Sequence, residues 1–189
     1  MIYISMHLVH TPPGIIYDTS SSYGLNEEIL GAALLDSEYR KKAFLAVKIS
    51  NHEQRSGDIK TAFKNHLKKL HTDHINLLML HWPHPGTYVD SYKALEELYL
   101  EGYVDCIGVS NFNKHHLDTL LQYATIVPAV NQIEVHPLFT QKPLVNYCKS
   151  LGIRVIAYTP LGRMHDVLIK NRTLRLLAKK YQKTVPQII

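Results

Sequence analysis

The chain has 189 residues, of which 46% are hydrophobic and 20% are charged, a composition typical of a soluble globular protein with a sizeable core. Its net charge of +5 comes from lysines and arginines that never form a long run, which argues against a nucleic-acid partner and suits a small anionic ligand. No apolar run is long enough to cross a bilayer, and residues 1–10 lack the pattern of a signal peptide, so we expect a cytoplasmic protein without a membrane partner.

The first predicted unit, residues 14–28, combines a short strand, a polar turn and the start of a helix. Two isoleucines lead into Asp18 as a β-prone segment, and the hydroxyl side chains of residues 19–22 favour a turn. This pattern predicts Asp18 at the carboxyl end of a strand, where α/β proteins build their sites. Tyr23 follows, so the unit carries two side chains capable of proton chemistry. In isolation, the same spacing is also typical of an aspartate that caps a turn, here Asp18, and a tyrosine that packs on the following helix, here Tyr23.

Further apolar runs along the chain predict strands, and helical patterns separate them. The predicted strands are Ile15 to Asp18, Ala43 to Lys48, Ile75 to Leu80, Val104 to Val109, Ala129 to Ile133 and Ile153 to Tyr158. Among the helices, one begins after Asp58, and two others end at Gly102 and Gly152. Strands that alternate with helices predict βα units, a parallel sheet and right-handed crossovers.

Polar or turn-forming residues follow every predicted strand, and this feature separates two kinds of parallel sheet. An open, doubly wound sheet uses the ends of its strands only near a switch point, whereas a closed barrel brings all of them to one mouth. The strand ends here are Asp18-Thr19, Lys48, His81-Trp82-Pro83, Ser110-Asn111, Asn131 to Glu134 and Tyr158-Thr159-Pro160. The chain also lacks G-x-G-x-x-G, the usual sign of a Rossmann dinucleotide fold. The pattern therefore favours an α/β fold of the TIM barrel type.

Several motifs, in this order and at these spacings, closely resemble the aldo-keto reductase superfamily: YDTSSSYGLNE, AVKIS, LMLHWP, CIGVSNF, PAVNQIEVHP and IAYTPLG. The resemblance runs from Gly14 to the last residue. It implies a (β/α)8 barrel that binds NADPH across its mouth and reduces aldehydes and ketones to alcohols without a metal. It also implies a catalytic tetrad, which consists of Asp18, Tyr23, Lys48 and His81.

The same resemblance implies which residues hold the cofactor and the substrate. The cofactor-binding positions are Asp18, Ser110, Asn111, Gln132, Tyr158, Thr159, Leu161 and Gly162. A small-molecule carbonyl substrate would contact Tyr23, His81 and Trp82. Arg163 is a departure, because the family often has a small hydroxyl residue there, beside the loop that is expected to close over the pyrophosphate. No cysteine or carboxylate joins the histidines at metal-ligand spacing, so we expect no metal site.

The chemistry of carbonyl reduction explains these residue types. Hydride transfer to a carbonyl puts negative charge on its oxygen, so a proton donor has to stand within about 3 Å. Tyr23 is the candidate acid, because a neighbouring ammonium group favours the ionised phenol and so eases release of its proton. Lys48 would supply that ammonium, Asp18 would hold it by an ion pair, and His81 would orient the substrate carbonyl.

The sequence departs from the family pattern at both of its ends. By resemblance, the first and last barrel strands of the family are absent, so we expect an incomplete barrel over residues 14–189 after an atypical segment, residues 1–13. Residues 1–9 have strand composition but should return only as an antiparallel hairpin, since a parallel crossover needs a dozen or more residues. Exposed sheet edges predict a monomer or weak self-association. Two functions stay open: a carbonyl reductase, and an impaired fragment or non-catalytic binding module.

Overall fold

A parallel sheet of six strands is the centre of the computed structural model, which describes residues 3–4 and 15–189. Its strands are β2 (Ile15–Ser20), β3 (Ala43–Ile49), β4 (Ile75–Leu80), β5 (Val104–Ser110), β7 (Val130–Glu134) and β8 (Arg154–Tyr158). All of the pairings are parallel, and the strands lie side by side in chain order. Because this order never reverses, the sheet is part of a barrel wall rather than a doubly wound sheet. The predicted incomplete (β/α)8 barrel is confirmed.

A separate small sheet joins β1 (Tyr3–Ile4) to β6 (Ile126–Val127) in parallel. The antiparallel hairpin that the sequence predicted for residues 1–9 is therefore wrong for residues 3 and 4. The short connection to β2 rules out only parallel pairing with β2 and does not limit pairing with a strand far along the chain. The other residues of that segment lie outside the described part of the structure.

Helices follow most of the strands, and several of them cover the outer face of the sheet. They are α1 (Asn26–Ala33), α2 (Ser37–Lys42), α3 (Asn51–Ser56), α4 (Ile59–Lys69), α5 (Tyr88–Leu100), α6 (Lys114–Leu120), α7 (Lys142–Ser150), α8 (Asp166–Ile169), α9 (Arg172–Tyr181) and α10 (Val185–Ile188). The main core lies between this layer and the sheet, with Phe63, Leu78 and Ile107 fully or almost fully buried. Within the described residues, none of the helices has the length and apolar character that crossing a membrane requires.

Strand β2 is longer than the sequence predicted, so Asp18 lies within the strand and not at its end. Thr19 and Ser20 belong to β2 and are buried, although their hydroxyl side chains had indicated a turn. Tertiary pairing overrides the local preference here, because both residues pair with β3, Ser20 with Lys48. Since side chains alternate along a strand and paired residues share a face, Asp18, Ser20 and Lys48 all project from the inner face of the sheet.

Helix α1 crosses α4 so closely that Gly31 leaves no room for a side chain. A Cβ atom at this position would lie 2.1 Å from the backbone oxygen of Lys69 and 3.0 Å from Cα of Leu70. Both are backbone atoms, so relief requires the two helices to move apart. Gly31 therefore fixes the spacing between α1 and α4.

Replacing Gly31 with alanine should lower the free energy of unfolding by about 1–3 kcal/mol, since overpacking a tight contact forces backbone shifts. Thermal unfolding followed by circular dichroism is the measurement, and a fall in Tm of roughly 2–10 °C is expected. Ala32→Ser, at an exposed position of the same helix, is the control and should change Tm little. A Gly31→Ala protein that melts with the wild type would show that the helices do not meet as described.

Candidate active site

Lys48 lies at the centre of the candidate site, and its side chain is almost fully buried. Its ammonium group forms an ion pair with Asp18 of β2. The hydroxyl oxygen of Tyr23 lies 3.4 Å from Lys48 Nζ. Tyr23 reaches this position on a 3-10 turn, Ser21–Tyr23, that follows β2 directly. The structure thus brings together three of the four residues expected to form the catalytic tetrad.

His81 follows β4 and completes the group. Its ring meets the Tyr23 ring edge to face, with 5.6 Å between the centroids. Burial, together with the positive charge of Lys48, lowers the pKa of His81 below its ordinary value of 6.5. The imidazole is therefore neutral near pH 7, and only one of its two nitrogens carries a proton.

Ser20 lies beside one ring nitrogen of His81, a contact that the sequence did not indicate. Its Oγ lies 3.2 Å from Nδ1 of His81 and 3.2 Å from the backbone oxygen of Lys48. The single hydroxyl proton can serve only one of these acceptors. When Ser20 donates to Nδ1, the imidazole proton is on Nε2. This tautomer leaves an N–H group available for a ligand.

A second layer of polar side chains joins the predicted cofactor-binding residues to the tetrad. Nε2 of Gln132 donates to Oδ2 of Asp18 at 2.7 Å. Nδ2 of Asn111 donates to the backbone oxygen of His81 and to Ser110 Oγ, both at 3.0 Å. The Tyr158 hydroxyl donates to Oδ1 of Asn111 at 2.9 Å. Ser110 Oγ also donates to the backbone oxygen of Gln132 at 3.0 Å, so one hydrogen-bonded network links residues at the carboxyl ends of five strands.

These residues line a cavity of about 760 Å³ on the inner face of the sheet. Its polar wall includes Asp18, Tyr23, His81, Trp82, Ser110, Asn111, Gln132, Glu134, Tyr158, Thr159 and Arg163. Apolar side chains such as Phe44, Leu77 and Ile156 form the rest of the wall. Tyr23 is 45% exposed and Trp82 48%, so both are accessible to a ligand. Leu161 and Gly162, also expected to bind cofactor, lie in the neighbouring turn and not in the cavity wall.

Backbone strain coincides with this cavity. Asn111 has a φ of 63°, Thr159 of 48° and Arg163 of 53°, all in the left-handed region. This region is unfavourable for residues other than glycine, and most of all for a β-branched residue such as threonine. Such strained positions cluster at functional sites, where the surrounding structure holds them. Three of the seven described non-glycine residues with positive φ therefore line this cavity, and the other four lie elsewhere.

A buried charged cluster lies behind the site, and sequence reasoning missed it. Nδ1 of His66 lies 2.5 Å from Oε1 of Glu27, and its Nε2 lies 3.2 Å from Oε1 of Glu53. The second contact is an ion pair without good hydrogen-bond geometry. One sequence pattern could have indicated the position of Glu53. The run Ser50-Asn51-His52-Glu53 is a capping box, in which the Glu53 side chain reaches back to Ser50.

The two carboxylates decide the charge of this cluster. Burial alone would lower the pKa of His66, but the hydrogen bond and charge of Glu27 and the charge of Glu53 raise it to about 9. Burial alone would raise the pKa of Glu53, but His66 and the hydrogen bonds from Ser50 lower it to about 2. His66 is therefore an imidazolium ion at neutral pH, held between two carboxylates.

The raised pKa of His66 predicts how stability depends on pH. Its pKa is about 9 in the folded protein and 6.5 ordinarily, so its stabilisation is complete below 6.5 and is lost as pH rises through 9. The loss should reach about 3 kcal/mol, since one pKa unit corresponds to about 1.4 kcal/mol. Tm measured across this range, for the wild type and for His66→Gln, is the test. Parallel pH profiles of the two proteins would contradict a charged His66.

The sequence is similar to those of known proteins. The sequence profile of the Aldo/keto reductase family matches residues 14–184. A glyoxal reductase of Bacillus subtilis (strain 168) is 42% identical over 173 residues, which cover 91% of this chain and 62% of that protein. This chain therefore spans about three fifths of the length of that curated relative.

The fold is also similar to those of solved aldo-keto reductase structures. An aldo-keto reductase from a Medee basin deep-sea metagenome library superposes with a TM-score of 0.86 at 42% identity, over 92% of this chain and 64% of that one. An aldo-keto reductase of Bombyx mori in complex with NADP superposes with a TM-score of 0.82 at 33% identity, over 92% of this chain and 63% of the other. Both similarities extend well beyond the site to most of the described fold.

Proposed function

The chain belongs to the aldo/keto reductase family, and we propose that it reduces aldehydes and ketones to alcohols with NADPH as the hydride donor. The observation that carries the proposal is the convergence of four groups at one cavity, with Asp18, Tyr23 and His81 in its wall and Lys48 buried behind them. A phenol lies 3.4 Å from a buried ammonium group that is paired with a carboxylate. A neutral imidazole lies against that phenol.

Tyr23 is the proposed general acid. As negative charge develops on the carbonyl oxygen, its phenol gives up a proton, and the Lys48 ammonium stabilises the phenolate that remains. Asp18 holds that ammonium from one side and accepts a hydrogen bond from Gln132 on the other. Lys48 therefore cannot turn away from the phenol without breaking its ion pair.

His81 is proposed to orient the carbonyl. A neutral imidazole with its proton on Nε2 donates a hydrogen bond to the substrate oxygen, and Ser20 favours this tautomer when it donates to Nδ1. An imidazolium ion would compete with Tyr23 as the proton donor. The lowered pKa of His81 supports the neutral form at working pH.

The residues of the cavity fit a nicotinamide cofactor. The side chains of Ser110, Asn111 and Gln132 provide hydroxyl and amide groups that match the donor and acceptor of a carboxamide, and the Tyr158 ring lines the same wall. When bound, NADPH supplies the hydride. We assign Thr159, Leu161 and Gly162 to the pyrophosphate, in the turn that begins at the end of β8. The NADP complex of the Bombyx mori protein supports the choice of cofactor.

Small 2-oxoaldehydes are the proposed substrates. The Bacillus subtilis relative is a glyoxal reductase, and glyoxal is the smallest member of this class. An electron-poor aldehyde carbonyl accepts hydride readily and needs little binding surface. The half-exposed side chains of Tyr23 and Trp82 leave the site open to such small molecules.

A non-catalytic binding module is the second candidate. It is favoured by the sheet edges, since β2 and β8 each pair with a single neighbour among the described strands. Solvent that enters beside such an edge weakens electrostatic stabilisation of the transition state. A protein of this kind would bind NADPH without turnover.

Turnover and binding can be separated in one experiment. NADPH oxidation with methylglyoxal is followed together with formation of the alcohol, and binding is measured by quenching of Trp82, the single tryptophan, which lines the cavity. The proposal expects alcohol in equal amount to the NADPH consumed. Quenching of Trp82 without any alcohol would contradict the proposal and favour the binding module.

A further inference from the structure

The Glu53 carboxylate joins the two chain segments that carry Tyr23 and Lys48. Its Oε2 accepts a hydrogen bond from Ser21 Oγ at 2.9 Å, and Ser21 lies two residues before Tyr23. The same oxygen accepts from N and Oγ of Ser50, both at 2.7 Å, and Ser50 lies two residues after Lys48. A single carboxylate oxygen therefore connects both segments.

The turn that carries Tyr23 has little else to hold it. None of its residues, Ser21–Tyr23, is buried, and Gly24 follows it with a φ of 62°, a conformation that suits glycine. Ser20 caps the turn through the backbone N–H of Ser22 at 3.3 Å. The Tyr23 side chain meets His81 and Lys48, and the start of the turn is held to another element by the hydrogen bond from Ser21 to Glu53.

His66 fixes Glu53 and also reaches the helix after the turn. It lies between Glu53 of α3 and Glu27 of α1, and Glu27 and His66 are 0% and 1% exposed. Lys69, one turn further along α4, reaches Glu28 at 3.1 Å and Glu27 at 3.8 Å. These are the charged groups that face His66. Two carboxylates within 3.2 Å on opposite sides of the ring hold it as a cation.

We propose that Glu53 and His66 are positioning residues that set the distance between the Tyr23 phenol and the Lys48 ammonium. The inference deepens the proposed function and rests on it. Hydrogen bonding to Ser21 and Ser50 holds the two segments together, and the ion pair with His66 keeps Glu53 ionised and in place. Neither residue lines the cavity, so neither would touch a bound substrate or cofactor directly.

Loss of the connection should affect the chemical step more than cofactor binding. Ser21→Ala and Glu53→Gln should lower kcat about 10-fold to 100-fold, because a displacement of about 1 Å at reacting groups has effects of this size. KM for NADPH should stay within about twofold, since the proposed cofactor contacts lie on β5, β7 and β8. Ser21→Thr keeps the hydroxyl group and should restore kcat. Lys60→Gln, which removes an exposed lysine paired with Glu97 and Glu101, is the control and should leave kcat unchanged.

A second readout needs no turnover. Tyrosine labelled with ¹³C at Cζ reports ionisation of each phenol by NMR, and the Tyr23→Phe protein identifies the Tyr23 signal. In Ser21→Ala and Glu53→Gln, the midpoint of the Tyr23 titration should move upward, because the ammonium that favours phenolate is further away. The Lys60→Gln control should titrate as the wild type does.

The two readouts separate failure of this inference from failure of the proposed function. A wild type without carbonyl reduction would contradict the proposed function, while shifted Tyr23 titrations in the variants would still support the positioning role. Wild-type kcat in Ser21→Ala and Glu53→Gln, with unshifted Tyr23 titrations, would overturn the positioning role. A variant that is only destabilised would melt earlier but keep kcat and the Tyr23 midpoint at a temperature where it is folded, and this result would also overturn the inference.

Discussion

Replacing Tyr23 with phenylalanine should lower kcat for carbonyl reduction by about 10²–10⁴-fold, the usual contribution of a general acid. NADPH affinity should be nearly unchanged, because the phenol is required only when a proton is transferred. Stability should also be preserved, since the Tyr23 side chain is half exposed and the substitution keeps its ring. Steady-state kinetics with methylglyoxal, together with quenching of Trp82 by NADPH, provide the measurement.

A matched control makes this result specific. Tyr39→Phe removes the same hydroxyl group from an exposed tyrosine of α2 and should leave kcat unchanged. If Tyr23→Phe weakens NADPH binding as steeply as it lowers kcat, Tyr23 contributes to binding and is not the acid.

Replacing Lys48 with methionine should be almost as harmful to kcat, with a loss of about 10²-fold or more, because the phenol becomes a weaker acid without an ammonium group 3.4 Å away. Unlike the Tyr23 variant, it should also reduce stability, by about 1–3 kcal/mol, since Asp18 loses its ion pair. The Asp18 carboxylate keeps the hydrogen bond from Gln132 and some contact with solvent, which limits that loss.

A double variant separates the two effects of Lys48. Asp18→Asn combined with Lys48→Met removes both charges and keeps an oxygen that can accept from Gln132. It should recover most of the stability and none of the activity. Near-normal kcat in Lys48→Met would remove the lysine from the mechanism, and equal stability of the single and double variants would show that an unpaired Asp18 carboxylate costs little.

The fold could be predicted largely from periodicity and from the strand ends. Apolar runs identified each strand of the main sheet, because both faces of a parallel strand are covered and the signal is continuous. The end of β2 was missed, since Thr19 and Ser20 have turn-forming side chains and their burial against β3 depends on tertiary pairing. The strand composition of residues 1–9 did not indicate the partner of Tyr3–Ile4, because Ile126–Val127 lies far along the chain.

The candidate site was predictable only in part. Asp18, Tyr23, Lys48 and His81 were named because each lies in a motif that recurs in a family, and the structure brings them together. The residues that hold these four in place were not predicted from the sequence, because Ser21, Glu53 and His66 lie in three different elements. A single histidine within a helix pattern is ordinary, and its role depends on two carboxylates that the sequence does not place beside it.

Following the transferred hydrogen tests whether this cavity reduces carbonyls by hydride transfer with Tyr23 as the acid. NADPH labelled with deuterium at C4, in both positions, is incubated with methylglyoxal, and the alcohol is analysed by mass spectrometry and NMR. We expect one deuterium on the carbinol carbon of each product molecule in the wild type, and little labelled product with Tyr23→Phe. Quenching of Trp82 by NADPH with no deuterium in any product, or labelled product formed equally well by Tyr23→Phe, would contradict this mechanism.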